Sequence, residues 1–407
     1  MRDRHPQRWR ILALLSAAEF FGMSLWFTAS AISPQLQRIW QLNSIETGWL
    51  TTTVQLGFVA GTAAAAILNL ADIVPARWYF AACALLGAAA NAGLAVAPSY
   101  RAALCLRLLT GMFLAGVYPP AMKMAATWFR SARGLAIGTV VGALTVGKAT
   151  PYLLRAVEGA DFRAVILIAS AGAMLAAALV GCGYHDGPYP FERRAFSWEM
   201  AGTVLRHRQT RLATTGYLGH MWELYAMWTW IPAFVAASFA ARSSSVGSAP
   251  PAWFADLVAF GAIASGGLGC LWGGWQADRM GRERLVTLAL AASGTCALTI
   301  GAFYGWNPWL LATIAWIWGF FVVADSAQFS TLVTEVAPPH TVGTALTLQT
   351  SLGFLLTMVT IQLIPRVVGW TSWRWAFAVL TLGPAAGIFA IRQLARLRSK
   401  AKIGLAR

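Results

Sequence analysis

Charge is scarce in this chain. Only 11% of its 407 residues are Asp, Glu, Lys or Arg, against roughly 25% in a soluble domain. No polar stretch is long enough for a separate soluble domain. Acidic residues are scarcest: 15, against 31 Lys and Arg, for a net charge of +16. The five cysteines (Cys83, Cys105, Cys182, Cys270, Cys296) all fall in apolar stretches. None makes a CxxC spacing, so they read as small packing residues, and no metal or cofactor is expected. No Gly-x-x-x-x-Gly-Lys-Ser/Thr loop occurs, which excludes ATP hydrolysis of that type. No HExxH and no nucleophile elbow occurs, so nothing marks the chain as an enzyme.

What fills the chain instead is apolar: 58% of residues are hydrophobic. Runs of about 20 apolar residues, enough to cross a bilayer, recur along almost the whole length. Twelve are marked off by charges, Pro or Gly, near 10–33, 47–70, 76–97, 101–127, 133–156, 162–184, 211–238, 253–276, 284–303, 308–334, 341–366 and 372–394. The longest polar gap, 185–210, contains Asp186-Gly-Pro-Tyr-Pro190, Arg193-Arg194 and Arg206-His207-Arg208 and reads as a linker. Residues 241–252 read as a shorter flexible loop. The first run is too long for a cleaved signal peptide and carries Glu19.

The basic residues are distributed unevenly. With twelve spans and a cytoplasmic N-terminus, about 21 of the 31 Lys and Arg fall on one side of the membrane, which places both termini and the linker in the cytoplasm. Arg2, Arg4, Arg8 and Arg10 lie at one terminus, and Arg392, Arg396, Arg398, Lys400 and Lys402 at the other. Basic tails gripping anionic headgroups account for this excess without nucleic acid.

Two runs carry the same pattern. Glu19-Phe-Phe-Gly-Met23-Ser-Leu-Trp26 lies in the first and Glu223-Leu-Tyr-Ala-Met227-Trp-Thr-Trp230 in the seventh, offset by 204 residues (223 minus 19). Asn69-Leu-Ala-Asp72-Ile-Val-Pro-Ala-Arg77 and Gly274-Trp-Gln-Ala-Asp278-Arg279-Met-Gly281-Arg282 close the second and eighth runs. Gly111-Met-Phe and Gly319-Phe-Phe sit in the fourth and tenth. The chain therefore reads as two related halves, 1–184 and 211–407, joined by the linker. Each half places a carboxylate inside a membrane helix, where charge is costly and marks function by default. Duplicated halves with ionisable groups between them are the ground plan of a secondary transporter.

On these residues the chain resembles the major facilitator superfamily over essentially its whole length. The Gly-x-x-x-Asp-Arg-x-Gly-Arg loop at Gly274–Arg282 carries the resemblance. It implies an all-α integral membrane protein with twelve transmembrane helices in two pseudo-symmetric six-helix bundles. It also implies a cytoplasmic latch at Asp278, Arg279 and Arg282, with Asp72 and Arg77 as a weakened partner because Ile73 and Pro75 replace the usual arginine and glycine. The fourth run, from Arg107 through Gly111, Tyr118, Pro119 and Lys123 to Trp128-Phe129, is similar to that of organic-anion and cyanate-type permeases of the superfamily. Gly134, Gly138 and Gly142 share one helix face and predict close packing against a sliding neighbour.

Six ionisable residues fall within the spans: Glu19, Arg107, Lys123, Lys148, Glu223 and Asp325. His220, Glu223, Met227 and Trp230 share one helical face. Glu223 lies near mid-membrane, where a carboxyl can bind and release a proton, with His220 to relay or tune it and Glu19 as its pseudo-symmetric counterpart. Arg107 stays charged and needs a carboxylate or an anionic substrate. Lys148 can lose its proton, which suits a switching site. Lys123 is a gate or structural residue able to reach the interface. Asp325, Ser326 and Gln328 form a polar patch, with Asp325 a partner for Lys148 or Arg107. Tyr118 and Gln349 offer neutral hydrogen bonds, and Trp26 and Trp230 cavity walls.

The expectation is a proton-coupled symporter of a small organic anion or carboxylate, functional as a monomer in a bacterial inner membrane. Arg107 and Lys148 would hold the anion; Glu223, Glu19, His220 and Asp325 would handle the proton. A drug/proton antiporter taking lipophilic cations is the alternative, although the fifth run lacks a Gly-Pro pair. Nitrate transport would need arginines in the second and eighth runs, which lack Lys and Arg. A non-transporting receptor on the same fold remains a further class.

Overall fold

The computed structural model describes residues 5–68, 70–129, 133–157, 161–189, 198–247, 250–338 and 341–405. Among them every regular element is helical. The long helices, in chain order, are α1 (Arg8–Met23), α2 (Ser44–Ile67), α3 (Ala76–Gly93), α4 (Tyr100–Leu114, resuming as Tyr118–Ala126), α5 (Arg133–Ala156) and α6 (Phe162–Gly183). The second half contributes α7 (Arg208–Val246), α8 (Ala252–Met280), α9 (Arg282–Thr299), α10 (Pro308–Ala324, resuming as Ser326–Val336), α11 (Val342–Trp370) and α12 (Leu382–Leu405).

Among the described residues eleven helices are long and apolar enough to cross a membrane, where the sequence predicts twelve. The first span accounts for the difference. Helix α1 has only 16 residues, breaks at Ser24–Phe27, and resumes in the short helices Thr28–Ala31 and Ser33–Trp40. The predicted single run of 10–33 is thus a broken span. Helix α4 breaks before Pro119-Pro120, where proline cannot donate to the preceding turn, and α10 breaks at Asp325.

Two other boundaries differ from expectation. Helix α7 runs on to Val246 through much of the predicted 241–252 loop, and Gly247 ends it with a φ of 76°. The predicted linker contains a helix, Trp198–Arg206, that packs on α11 and α7.

The two halves repeat one packing scheme. Helix α1 packs on α5 and α6, α2 on α4, and α3 on α4 and α6. Six helices on, α7 packs on α11 and α12, α8 on α10, and α9 on α10 and α12. Glycine seams explain two of these contacts. A Cβ on Gly57, Gly61 or Gly111 would strike backbone across the α2–α4 seam, and one on Gly269, Gly273 or Gly319 would do so across α8–α10. Backbones come this close only where no side chain intervenes.

Between the halves, α5 packs on α8 and α2 on α11. The Gly134-Gly138-Gly142 face lies on the α5–α8 contact. A Cβ on Gly142 would sit 3.0 Å from the Gly267 carbonyl and one on Gly138 3.5 Å from that of Cys270, while Gly134 faces open space.

Candidate functional site

Helix α5 brings a lysine to the plane where the halves meet. A Cβ on Gly147 would collide with the Phe20 carbonyl, so α5 lies backbone-close to α1 and Lys148 emerges beside the α1 break. Lys148 is 4% exposed. Its Nζ donates to the Tyr225 hydroxyl at 2.7 Å, across the boundary between the halves. The ammonium also sits 4.3 Å from the centre of the Trp26 ring, 5.0 Å from Tyr225 and 5.5 Å from Trp228. Such ring faces attract a cation through their quadrupole.

More rings complete the cage. Trp26 lies 5.2 Å from Phe58 of α2 and 5.8 Å from Phe354 of α11, and Tyr225 lies 5.4 Å from Phe354. Tyr118 stacks on Phe58 at 6.5 Å. Trp26 therefore packs among rings from both halves. Tyr225, Trp228, Phe58 and Phe354 were not singled out by the sequence. Tyr225 and Trp228 lie inside the repeated Glu-Met-Trp segment. Tyr225 is two residues from Glu223 and so on a different helix face from the carboxylate.

Glu19 is fully buried, and neither of its oxygens has a hydrogen-bond partner. Among the described residues it makes no ion pair, and its helix packs against α5, which carries Lys148. The side-chain amides of Gln55 and Gln349 and the indole N–H groups of Trp26 and Trp228 are likewise buried and unpartnered. Buried polar groups are nearly always satisfied, and exceptions call for an explanation such as a ligand or water.

Arg107 has a different environment from the one expected. Its Nε donates to the Leu50 carbonyl at 3.3 Å, and Nη1 to the Leu25 carbonyl at 3.0 Å and to Asn91 Oδ1 at 3.3 Å. Nη2 donates to the Trp26 carbonyl. The expected carboxylate or anion is replaced by backbone: the break in α1 frees carbonyls that Arg107 caps. It positions Trp26 rather than facing the cage.

The second-half residues also separate. Glu223 Oε2 accepts from Ser293 at 2.8 Å and Oε1 from the Trp318 indole at 2.6 Å. Glu223 is thus enclosed within its own bundle, against α9 and α10. The shared spacing of Glu19 and Glu223 leads to different surroundings. Asp325 contacts neither Lys148 nor Arg107; His220 Nδ1 lies 2.9 Å from its Oδ1, though no donor is aligned on either oxygen. His220 Nε2 reaches Ser326 Oγ at 3.0 Å. Trp230 lies outside the cage, donating to the Ile361 carbonyl at 2.8 Å.

The loop residues form a network at the end where the termini lie. Arg282 meets Glu335 at 2.7 Å, Gln328 at 3.1 Å and Asp278 at 3.9 Å. Arg398 joins it through Glu283 at 2.6 Å and Glu335 at 2.8 Å. Gln328 thus belongs to this network rather than to the cage. Arg279 lies over Trp275 and Arg77 over Trp78. The Asp72 side chain lies outside the described residues. Lys123 is half-buried near the end of α4.

At the opposite end the halves are joined by contacts the sequence did not suggest. Arg155 of α5 grips Asp256 of α8 through both oxygens, at 2.5 and 2.9 Å, and also donates to the Ala31 carbonyl. Gln362 of α11 donates to Thr52 of α2 at 3.0 Å.

Known proteins share this architecture. The crystal structure of a bacterial homolog of the human lysosomal transporter Spinster, inward-facing and occupied, superposes with a TM-score of 0.69 at 14% identity, covering 96% of this chain and 97% of that one. That of the nucleoside transporter NupG superposes with a TM-score of 0.73 at 14% identity, covering 94% and 99%. No curated protein sequence matches the chain. The sequence model of the Major Facilitator Superfamily matches residues 14–358. The chain is an integral membrane protein and belongs to the major facilitator superfamily.

Proposed function

We propose that this protein moves a small organic anion across the inner membrane of a bacterium by alternating access, coupled to a proton. The observation that carries this reading is Lys148: a buried ammonium at the junction of the halves, held by a neutral hydroxyl and ring faces. A carboxylate is the natural ligand for the remaining N–H groups of such an ammonium. Glu19, on the neighbouring helix α1 with both oxygens unpartnered, is the proton carrier. Glu223 already has two donors, and Arg107 is occupied by carbonyls, so neither leads this reading. With both termini cytoplasmic, as the basic excess favours, the Arg155–Asp256 pair closes the outer side. Rocking of the halves about the α5–α8 and α2–α11 contacts would expose the cage to each side in turn.

The test is uptake of small carboxylates into proteoliposomes under an imposed pH gradient, with passive flux in protein-free vesicles subtracted. Glu19→Gln should retain exchange of labelled for unlabelled substrate while losing accumulation driven by the gradient. Lys148→Met should lose both. Gradient-driven accumulation by Glu19→Gln at the wild-type rate would overturn the proton assignment. One observation favours a second reading. Ring faces beside a carboxylate also suit a lipophilic cation, so export of such cations by wild type, with no carboxylate flux, would replace the symporter by an antiporter.

A further inference from the structure

The cage around Lys148 is filled by the protein's own Tyr225. Its phenol oxygen bonds the ammonium at 2.7 Å. Its ring lies 5.4 Å from Phe354, 5.7 Å from Trp26 at an interplanar angle of 37°, 5.3 Å edge-on from Trp228 and 6.4 Å stacked on Phe27. A six-membered aromatic ring with an oxygen on the lysine is thus surrounded on several sides by aromatic faces.

We propose that Tyr225 is a built-in occupant of the substrate site, and that the substrate is an aromatic monocarboxylate that takes its place. The proposal rests on the anion reading above and narrows it. Three features support the class. A carboxylate on Lys148 would put its ring where the tyrosine ring now lies, among surfaces that prefer offset or edge-on aromatic partners. The unpartnered indole N–H groups of Trp26 and Trp228 flank that space and can donate to the second carboxylate oxygen or to ring substituents. Among the described residues Lys148 is the cation over the cage rings, Arg107 being spent on carbonyls; a single positive charge matches one carboxylate, and a dicarboxylate would leave a buried charge unpaired. Displacing Tyr225 also breaks its hydrogen bond between the halves, so arrival of substrate would release one contact that holds them in this arrangement.

Titration calorimetry on the detergent-purified full chain tests this, with benzoate, cyclohexanecarboxylate and benzyltrimethylammonium as probes. Wild type should bind benzoate at least tenfold more tightly than cyclohexanecarboxylate, which matches it in size and charge but lacks the π-face. Tyr225→Ala should bind benzoate several-fold more tightly than wild type because the competitor is gone, and Lys148→Met should not bind it. Should Tyr225→Ala fail to fold, Tyr225→Phe keeps the ring, frees the ammonium, and should also tighten benzoate. Equal affinity for the two carboxylates would overturn the aromatic class and leave the anion reading standing. Weaker benzoate binding in both tyrosine variants would make Tyr225 a ligand contact and overturn the displacement. Binding of benzyltrimethylammonium alone would overturn the anion reading itself.

Discussion

At the residue scale, the buried charges of this chain divide into those the protein satisfies and those it leaves open. Arg107 and Glu223 belong to the first group. Arg107 caps the Leu25 and Trp26 carbonyls exposed by the break in α1, so Arg107→Met should strand both. Each orphaned buried polar group costs about 1–3 kcal/mol, and thermal unfolding in detergent should show a large loss. Unchanged stability would mean that water or a ligand satisfies the carbonyls instead. Glu223→Leu should likewise strand the indole N–H of Trp318, for about 1–3 kcal/mol, while Ser293 keeps the Leu290 carbonyl as acceptor. Glu223→Gln, which keeps an acceptor, should stay close to wild type in stability and still accumulate substrate. Loss of gradient-driven uptake in Glu223→Gln with stability intact would return the proton to α7. The sequence marked Glu19, Lys148, Arg107 and Glu223 correctly as buried charges, because charge in an apolar run is conspicuous. Their partners were not legible. Which carbonyls Arg107 caps depends on a helix break that apolar periodicity does not reveal, and Ser293 and Trp318 lie some 70 and 95 positions from Glu223.

At the element scale, two kinds of glycine contact serve different ends. The α2–α4 and α8–α10 seams lie within a half and repeat between halves, so they build each bundle. The Gly142–Gly267 contact joins the halves, and in the proposed cycle it must slide. Gly61→Leu should therefore reduce folded yield and thermal stability, since its side chain meets the Met112 backbone and Ala115. Gly142→Leu should fold but lose transport by wedging α5 from α8; equal loss of folded protein in both variants would show that the α5–α8 contact is as static as the seams. The i, i+4, i+8 spacing of glycines made the α5 face readable. The break in α1 was not, because Ser24-Leu-Trp-Phe27 is as apolar as its surroundings and contains neither Gly nor Pro.

At the scale of the whole molecule, the superfamily fold was legible, because hydropathy and an internal repeat define it directly. The contacts between halves were not, since residues on α5 and α8 that meet across the boundary, such as Arg155 and Asp256, are about a hundred positions apart in the chain. That pair should act as a lock. Breaking a buried ion pair on one side typically costs about 3–5 kcal/mol, here from the closed state of the end opposite the termini. Asp256→Asn should raise labelling of a cysteine placed at Thr52, in a background lacking the five native cysteines, several-fold over the same cysteine with Asp256 intact. Unchanged labelling would show that the remaining α5–α8 and α2–α11 packing keeps that end shut without the ion pair.

The central claim is that Lys148, at the junction of the halves, binds the anion and that Glu19, on the neighbouring helix α1, carries its proton. The most direct measurement is proton movement during substrate entry, read by a pH-sensitive dye inside proteoliposomes with protein-free vesicles as the blank. The account predicts lumenal acidification on addition of substrate to wild type and none with Glu19→Gln, although the variant still exchanges substrate. Acidification by Glu19→Gln at the wild-type rate would contradict it.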